Sequence, residues 1–217
     1  MKRLVLLVFI TVSVVLKAQK MELKWEVFHP VKKEWMPLSS MMSVQRLLFE
    51  NGELPDPFVG KNELLYTWVE DYDWEYKSTF SIDSKQLEHQ FIDLEFLLVD
   101  TYATIYLNGV LISKTDNFFR PYVFQIKAHL KEGENTIKVV FTSPVNYHKK
   151  KYEKEKFHYP TPNDVGEVKI ASRVRKPQYQ FGWDWSIRMN TIGLLKPVNV
   201  YFYNYNRLIN KTINMNF

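Results

Sequence analysis

Between Trp74 and Ile82 the chain changes character at every step: Trp74, Tyr76, Ser78, Phe80 and Ile82 fall on one side, and Glu75, Lys77 and Thr79 on the other. Side chains of a strand point alternately to opposite faces, so this period specifies a half-buried sheet and excludes an amphipathic helix over the same residues. Phe91 to Val99 is a more continuous apolar run, which predicts a central strand covered on both faces. Tyr102 to Leu107 meets Asn108-Gly109, a type I′ turn signal, and Val110 to Ile112 follows, so a hairpin is expected there. Tyr122 to Ile126, Thr136 to Phe141 after a turn at Gly133, and Val198 to Tyr203 supply further strands. Short helical turns are expected at Ser43 to Glu50, where Val44, Leu47 and Leu48 share a face and Gly52 can end the turn, and at Asn62 to Trp68. Many short strands separated by turns predict a mainly β protein, a β-sandwich.

Composition bounds what such a sandwich can be. With 217 residues, 46% hydrophobic and 16% aromatic, one domain can bury a full core and a second independent domain does not fit. The formal charge of +5 comes from 29 basic and 24 acidic residues that are interspersed, so no nucleic-acid partner is expected. Lys149 to Lys156, between His148 and His158, is read as a charged, solvated loop, because Glu153 and Glu155 dilute its positive field. The five histidines show no H-x-H or H-x-x-x-H pair and no cysteine is present, so neither a metal nor another cofactor is expected. Residues 1–20 have the form of an export signal, with Lys2 and Arg3 before the apolar Leu4 to Leu16 and a small residue at Ala18. That run is shorter than the roughly 20 residues of a membrane span. An exported, periplasmic or extracellular protein without stable membrane insertion is expected.

Residues 175–186 read Arg-Lys-Pro-Gln-Tyr-Gln-Phe-Gly-Trp-Asp-Trp-Ser. An indole face stacks on the C–H face of a pyranose, and a carboxylate accepts hydrogens from two hydroxyls, so Trp183 and Asp184 are candidate sugar-binding residues. Three more stretches accompany this one in order. They are Asn51-Gly-Glu-Leu-Pro-Asp-Pro-Phe-Val-Gly60, then Asp100-Thr-Tyr-Ala-Thr-Ile-Tyr-Leu-Asn-Gly109 with Asp116-Asn-Phe-Phe-Arg-Pro-Tyr122, and Tyr159-Pro-Thr-Pro-Asn163. Together they resemble the N-terminal domain of β-mannosidases of glycoside hydrolase family 2, over roughly residues 22–203.

The resemblance narrows the sandwich to a jelly-roll of the galactose-binding type, spanning residues 21–204. It implies a β-mannoside as sugar partner, with Asp184 positioning the hydroxyls of the mannose being cleaved, Trp183 forming the apolar wall and Trp185 anchoring the loop in the core. It assigns no catalytic residue here. A retaining glycosidase needs two carboxyl groups about 5–5.5 Å apart. In the family both are glutamates of a (β/α)₈ barrel that follows the sandwich and an immunoglobulin-like domain. Residues 205–217 then read as a short Asn-rich tail, where the chain is truncated ahead of those domains, and the chain alone is expected to be an inactive fragment. A stand-alone carbohydrate-binding or interaction sandwich and a structural partner of a separately encoded barrel are the alternatives. Where the family commonly has Gly after the second tryptophan this chain has Ser186, which lacks glycine's access to positive φ. Its common Pro-Gly-x-Val-His-x-Asp pattern appears as Met41 to Leu47, with Gln45 at the histidine position. Asp116, Asn117, Arg120 and Pro121, and likewise Pro55, Asp56 and Pro57, are read as loop braces rather than sugar contacts, with Arg120 bonding to carbonyls.

Overall fold

The computed structural model describes residues 19–205. Apart from Gln19, Lys20 and Tyr205, the expected leader and tail lie outside the described residues. In chain order the strands are β1 (Gln19–Glu22), β2 (Glu26–His29), β3 (Glu34–Pro37), β4 (Trp74–Ile82), β5 (Phe91–Phe96), β6 (Val99–Asp100), β7 (Ala103–Leu107), β8 (Val110–Thr115), β9 (Tyr122–Gln125), β10 (Gly133–Phe141), β11 (Gly193–Leu194) and β12 (Val198–Tyr203). They form a six-stranded sheet in the order β3-β2-β4-β10-β7-β8, a four-stranded sheet β1-β12-β5-β9, and a small ladder of β11 on β6. The pairings are antiparallel.

The alternation along β4 decides how the sandwich closes. Trp74, Tyr76, Ser78 and Ile82 are buried, and on the facing sheet so are Ile92, Leu94 and Phe96 of β5 and Val198, Val200 and Phe202 of β12. The apolar members of both sets belong to one cluster, the core between the sheets. The hairpin falls where Asn108-Gly109 predicts it, with φ of 50° and 82° at these two residues, the left-handed geometry that a type I′ turn requires.

Two elements depart from the sequence reading. Phe91 to Val99 is two strands: β5 is central in the four-stranded sheet, the chain bends where Leu97 is exposed, and β6 pairs separately with β11. Apolarity cannot register that break, because the bend contains no glycine or proline. Residues 149–154, read as loop, belong to the helix α3, which follows α1 (Val44–Glu50) and α2 (Ser84–Glu88) and spans Pro144–Lys154. The Ser143 hydroxyl accepts from Asn146 N at 3.0 Å, Pro144 occupies the first turn, and Lys and Glu are good helix formers, so a start signal and local propensity agree. The lysines stay solvated on its outer side.

Helix α1 begins as the sequence predicts, with Ser43 as N-cap and Val44, Leu47 and Leu48 buried. A 3₁₀ segment covers Asn62–Asp71. Beside the main core lies a second, smaller cluster of Tyr102, Ile170, Ala171, Val174 and Phe181, which supports the long excursion between β10 and β11. Among the described residues, no helix is long and apolar enough to cross a membrane.

Candidate functional site

The excursion narrows to a tight turn. A 3₁₀ segment, Gln178–Phe181, buries Phe181 completely in the smaller core and hands over to Gly182. Gly182 has φ of 107°, and a Cβ there would lie 2.6 Å from the Asn163 carbonyl oxygen, so both the backbone angle and the close approach demand glycine. This close approach sets Asn163, the end of the Tyr159-to-Asn163 stretch, against the turn. Trp183 N then donates to Ser186 O at 3.1 Å and Ser186 N to Trp183 O at 3.3 Å, closing a two-residue loop with Asp184 and Trp185 at its corner. Among the described residues, the non-glycine positive φ values belong to Lys33 and Asn108, so Ser186 holds the turn at negative φ and glycine is not required there.

The corner explains where the aromatic side chains go. Trp183 is 45% exposed and Trp185 is 69% exposed, so Trp185 is not the core anchor expected of it. A corner residue of a two-residue turn projects away from the body that the turn leaves, and Phe181 takes the anchoring role instead. Trp185 leans on Tyr179, with ring centroids 5.7 Å apart, and on Trp183, at 6.5 Å. Asp184 is exposed, and its carboxylate has no hydrogen-bond or ion-pair partner among the described residues.

Trp183, Asp184 and Trp185 line one wall of a pocket of about 560 Å³, shared with Asn163, Glu63 and Arg188. Arg188 joins the turn to the sandwich. Its backbone N donates to Glu63 Oε2 at 3.2 Å, its guanidinium bonds Glu70 Oε1, and Asn190 Nδ2 donates to Glu70 Oε2 at 2.8 Å. Beyond Ser186 and Ile187 lies a second, apolar groove of about 650 Å³ that includes Phe49, Phe58, Phe118 and Tyr179. Deeper, Lys176 and Asp100 form an ion pair at 2.7 Å with both side chains 0% exposed. Burial pushes the Lys176 ammonium below its ordinary range, and the Asp100 charge opposes that shift.

The sequence singles out Trp183 and Asp184 as candidates, and not Glu63, Glu70, Arg188 or the Lys176–Asp100 pair. Glu63 and Arg188 are 125 residues apart, so no local spacing signals their contact. Three of the residues read as loop braces make bracing contacts. Asp56 Oδ1 accepts from Phe58 N at 2.9 Å, Asn117 Oδ1 from Phe119 N at 2.9 Å, and Asp116 pairs with Arg175 at 3.1 Å. Arg120 instead lies over the Tyr122 ring, 4.6 Å from its centroid, a cation–π contact in place of the expected bonds to carbonyls.

The site is thus an exposed carboxylate, unengaged by any described residue, between exposed indoles beside a polar pocket on a two-sheet antiparallel sandwich, the fold class of galactose-binding-like domains. The chain belongs to the glycosyl hydrolase 2 galactose-binding domain-like family, whose profile matches residues 25–196. It is 34% identical over 185 residues to a β-mannosidase of Capra hircus, covering 83% of this chain and 21% of that protein. It is also similar to the crystal structure of a β-D-mannosidase from Dictyoglomus thermophilum, with TM-score 0.77 and 38% identity over 89% of this chain and 23% of the other. An exo-chitosanase of Amycolatopsis orientalis shares the fold, with TM-score 0.59 at 18% identity over 85% of this chain and 20% of the other. The chain thus spans about a fifth of the length of these relatives.

Proposed function

We propose that this chain is the N-terminal, sugar-binding-type module of a β-mannosidase-like retaining hydrolase acting on terminal, non-reducing β-D-mannose. In this reading it positions the substrate and does not supply the reacting pair. The observation that carries the reading is Asp184, held at the corner of a closed turn with its carboxylate unengaged by any described residue, next to exposed Trp183. Asp184 accepts hydrogens from two mannose hydroxyls, and Trp183 covers the apolar face of the ring. The nucleophile and the acid/base, two carboxyl groups about 5–5.5 Å apart, come from a barrel domain of the full-length or split enzyme. Its setting is periplasmic or extracellular, on the strength of the leader pattern at residues 1–20.

The test joins this module to a compatible family barrel and changes Asp184→Asn. Charge-assisted hydrogen bonds are worth about 1.5–3 kcal/mol, so kcat/KM for an aryl β-mannoside should fall by roughly one to two decades if they strengthen in the transition state. The thermal midpoint should stay near that of the parent. Asp184→Asn that melts the fold and spares turnover would make the carboxylate a loop brace. Retained mannoside binding by the unjoined chain, with no effect of Asp184→Asn in the joined enzyme, would favour a stand-alone binding sandwich.

A further inference from the structure

The excursion that carries the Trp183–Ser186 turn leaves the sandwich at Lys176 and returns at Asn190, and its two legs are held differently. The return leg is gripped by the framework. Gln45 of α1 donates from Nε2 to Asn190 O at 2.8 Å and accepts from Ile192 N at 3.2 Å, Val44 N donates to Ile192 O at 2.9 Å, and Asn190 Nδ2 reaches Glu70. The outgoing leg is anchored by buried Phe181 and, at the neck, by Lys176. Its ammonium donates to Asp100 Oδ1 at 2.7 Å, Asn190 Oδ1 at 2.9 Å and Thr191 O at 2.6 Å.

An ammonium has three hydrogens, and here each has an acceptor. Asp100 is satisfied as well: Oδ1 accepts from Thr101 Oγ1 at 2.6 Å, and Oδ2 bonds the Thr191 hydroxyl. One buried cation therefore touches three things at once: the outgoing leg through its own backbone, the return leg at Asn190 and Thr191, and the sandwich through β6. A buried ion pair is a poor device for stability alone, because apolar side chains of similar volume often serve as well or better. Apolar packing does not supply directed bonds to three separate segments.

We infer that Lys176, paired with Asp100, is a positioning residue that closes the neck of the 177–189 excursion and so sets where Trp183 and Asp184 stand. The sugar-positioning purpose of this clasp rests on the proposed function; the clasp itself does not. A further contact across the neck, Met189 N to Gln180 O at 2.9 Å, joins the two legs nearer the turn. Without the clasp the return leg keeps its grip on α1 and Glu70, and the outgoing leg keeps its hold through buried Phe181 and through Arg175 O, which accepts from Phe118 N at 2.9 Å, but the neck loses its tie to β6 and the turn shifts against the sandwich.

The experiment uses the full chain labelled with 5-fluorotryptophan, its six tryptophans assigned by single Trp→Phe substitutions, and fluorine NMR as readout. Lys176→Met alone leaves the Asp100 charge buried and unpaired, so the decisive variant is Lys176→Met with Asp100→Asn, which removes both charges together. The expected result is that the Trp183 and Trp185 lines move toward the frequency of the free amino acid, while those of buried Trp25 and Trp74 keep their positions. Unchanged Trp183 and Trp185 lines in the double variant overturn the proposal. So does loss of the fold, or movement of the Trp25 and Trp74 lines along with the others, since either makes the pair a brace of the whole sandwich. No sugar enters this readout. A clasp that behaves as expected beside an Asp184→Asn variant without effect on turnover would sink the functional reading and leave the clasp standing.

Discussion

Phe181 and Trp185 lie four positions apart on the same excursion, and the structure assigns them opposite energetic roles. Phe181 is completely buried in the small cluster with Tyr102, Ile170 and Val174, so Phe181→Ala removes a packed ring and leaves a cavity. Such truncations cost about 3–5 kcal/mol. For a domain of this size each kcal/mol moves the midpoint by roughly 2–4 °C, which gives a loss of ~6–20 °C. Trp185 is 69% exposed, so a little under a third of its surface is covered. Scaling the full-burial cost by that fraction leaves ~1–1.5 kcal/mol, or ~2–6 °C, for Trp185→Ala. Thermal unfolding of both variants by circular dichroism, at equal protein concentration, reads the difference directly. A Trp185→Ala midpoint as low as that of Phe181→Ala would refute the reasoning. It would mean that the second indole packs inward, that the turn does not face solvent, and that its carboxylate has lost the setting on which a sugar contact depends.

The remaining expectations are simpler to check. Purified chain alone should release no aryl alcohol from an aryl β-mannoside, because positioning groups without the glutamate pair cannot form a glycosyl-enzyme intermediate; release that disappears on mutation within this chain would overturn that. Secreted protein should start at or near Gln19, since Gln19 already pairs with Phe202 in β1 and the leader pattern ends beside it; an intact mass that still includes Met1 would indicate a retained anchor. Burial, reinforced by Tyr147, pushes the Tyr102 hydroxyl up to about 12, and that hydroxyl lies 2.7 Å from His148 Nε2. A folded-state pKa raised above the unfolded value, about 10 for tyrosine, means this contribution to stability is complete below that pH and disappears as pH climbs through the folded value. Tyr102→Phe should therefore flatten the alkaline fall in thermal midpoint, and an unchanged slope would remove Tyr102 from the account.

Much of the sandwich was legible residue by residue, because its signals are local. Trp74 to Ile82 alternate and lie on β4, Asn108-Gly109 turns with both residues at positive φ, and Ser43 caps the helix that carries Val44, Leu47 and Leu48. Each of these is a relation between a residue and neighbours a few positions away, which steric and hydrogen-bonding preferences encode directly. The chemistry of Trp183 and Asp184 was legible in the same way, since an indole and a carboxylate side by side state what they can hold. Helix α3 replaces the loop that the lysine run implies, because the Ser143 cap, Pro144 in the first turn and the helix propensity of Lys and Glu outweigh the run's charge.

Tertiary structure decided the orientation of that chemistry. Nothing in the order Trp-Asp-Trp tells the outward indole from an anchoring one; the hydrogen bonds between Trp183 and Ser186 put Trp185 at a corner and leave the buried place to Phe181. Nor does any spacing bring Glu70 to Arg188, 118 residues later, or Lys176 to Asp100. Charges this far apart in the chain meet only once packing has expelled the water between their segments, and a buried charge survives there only where the fold offers it enough partners.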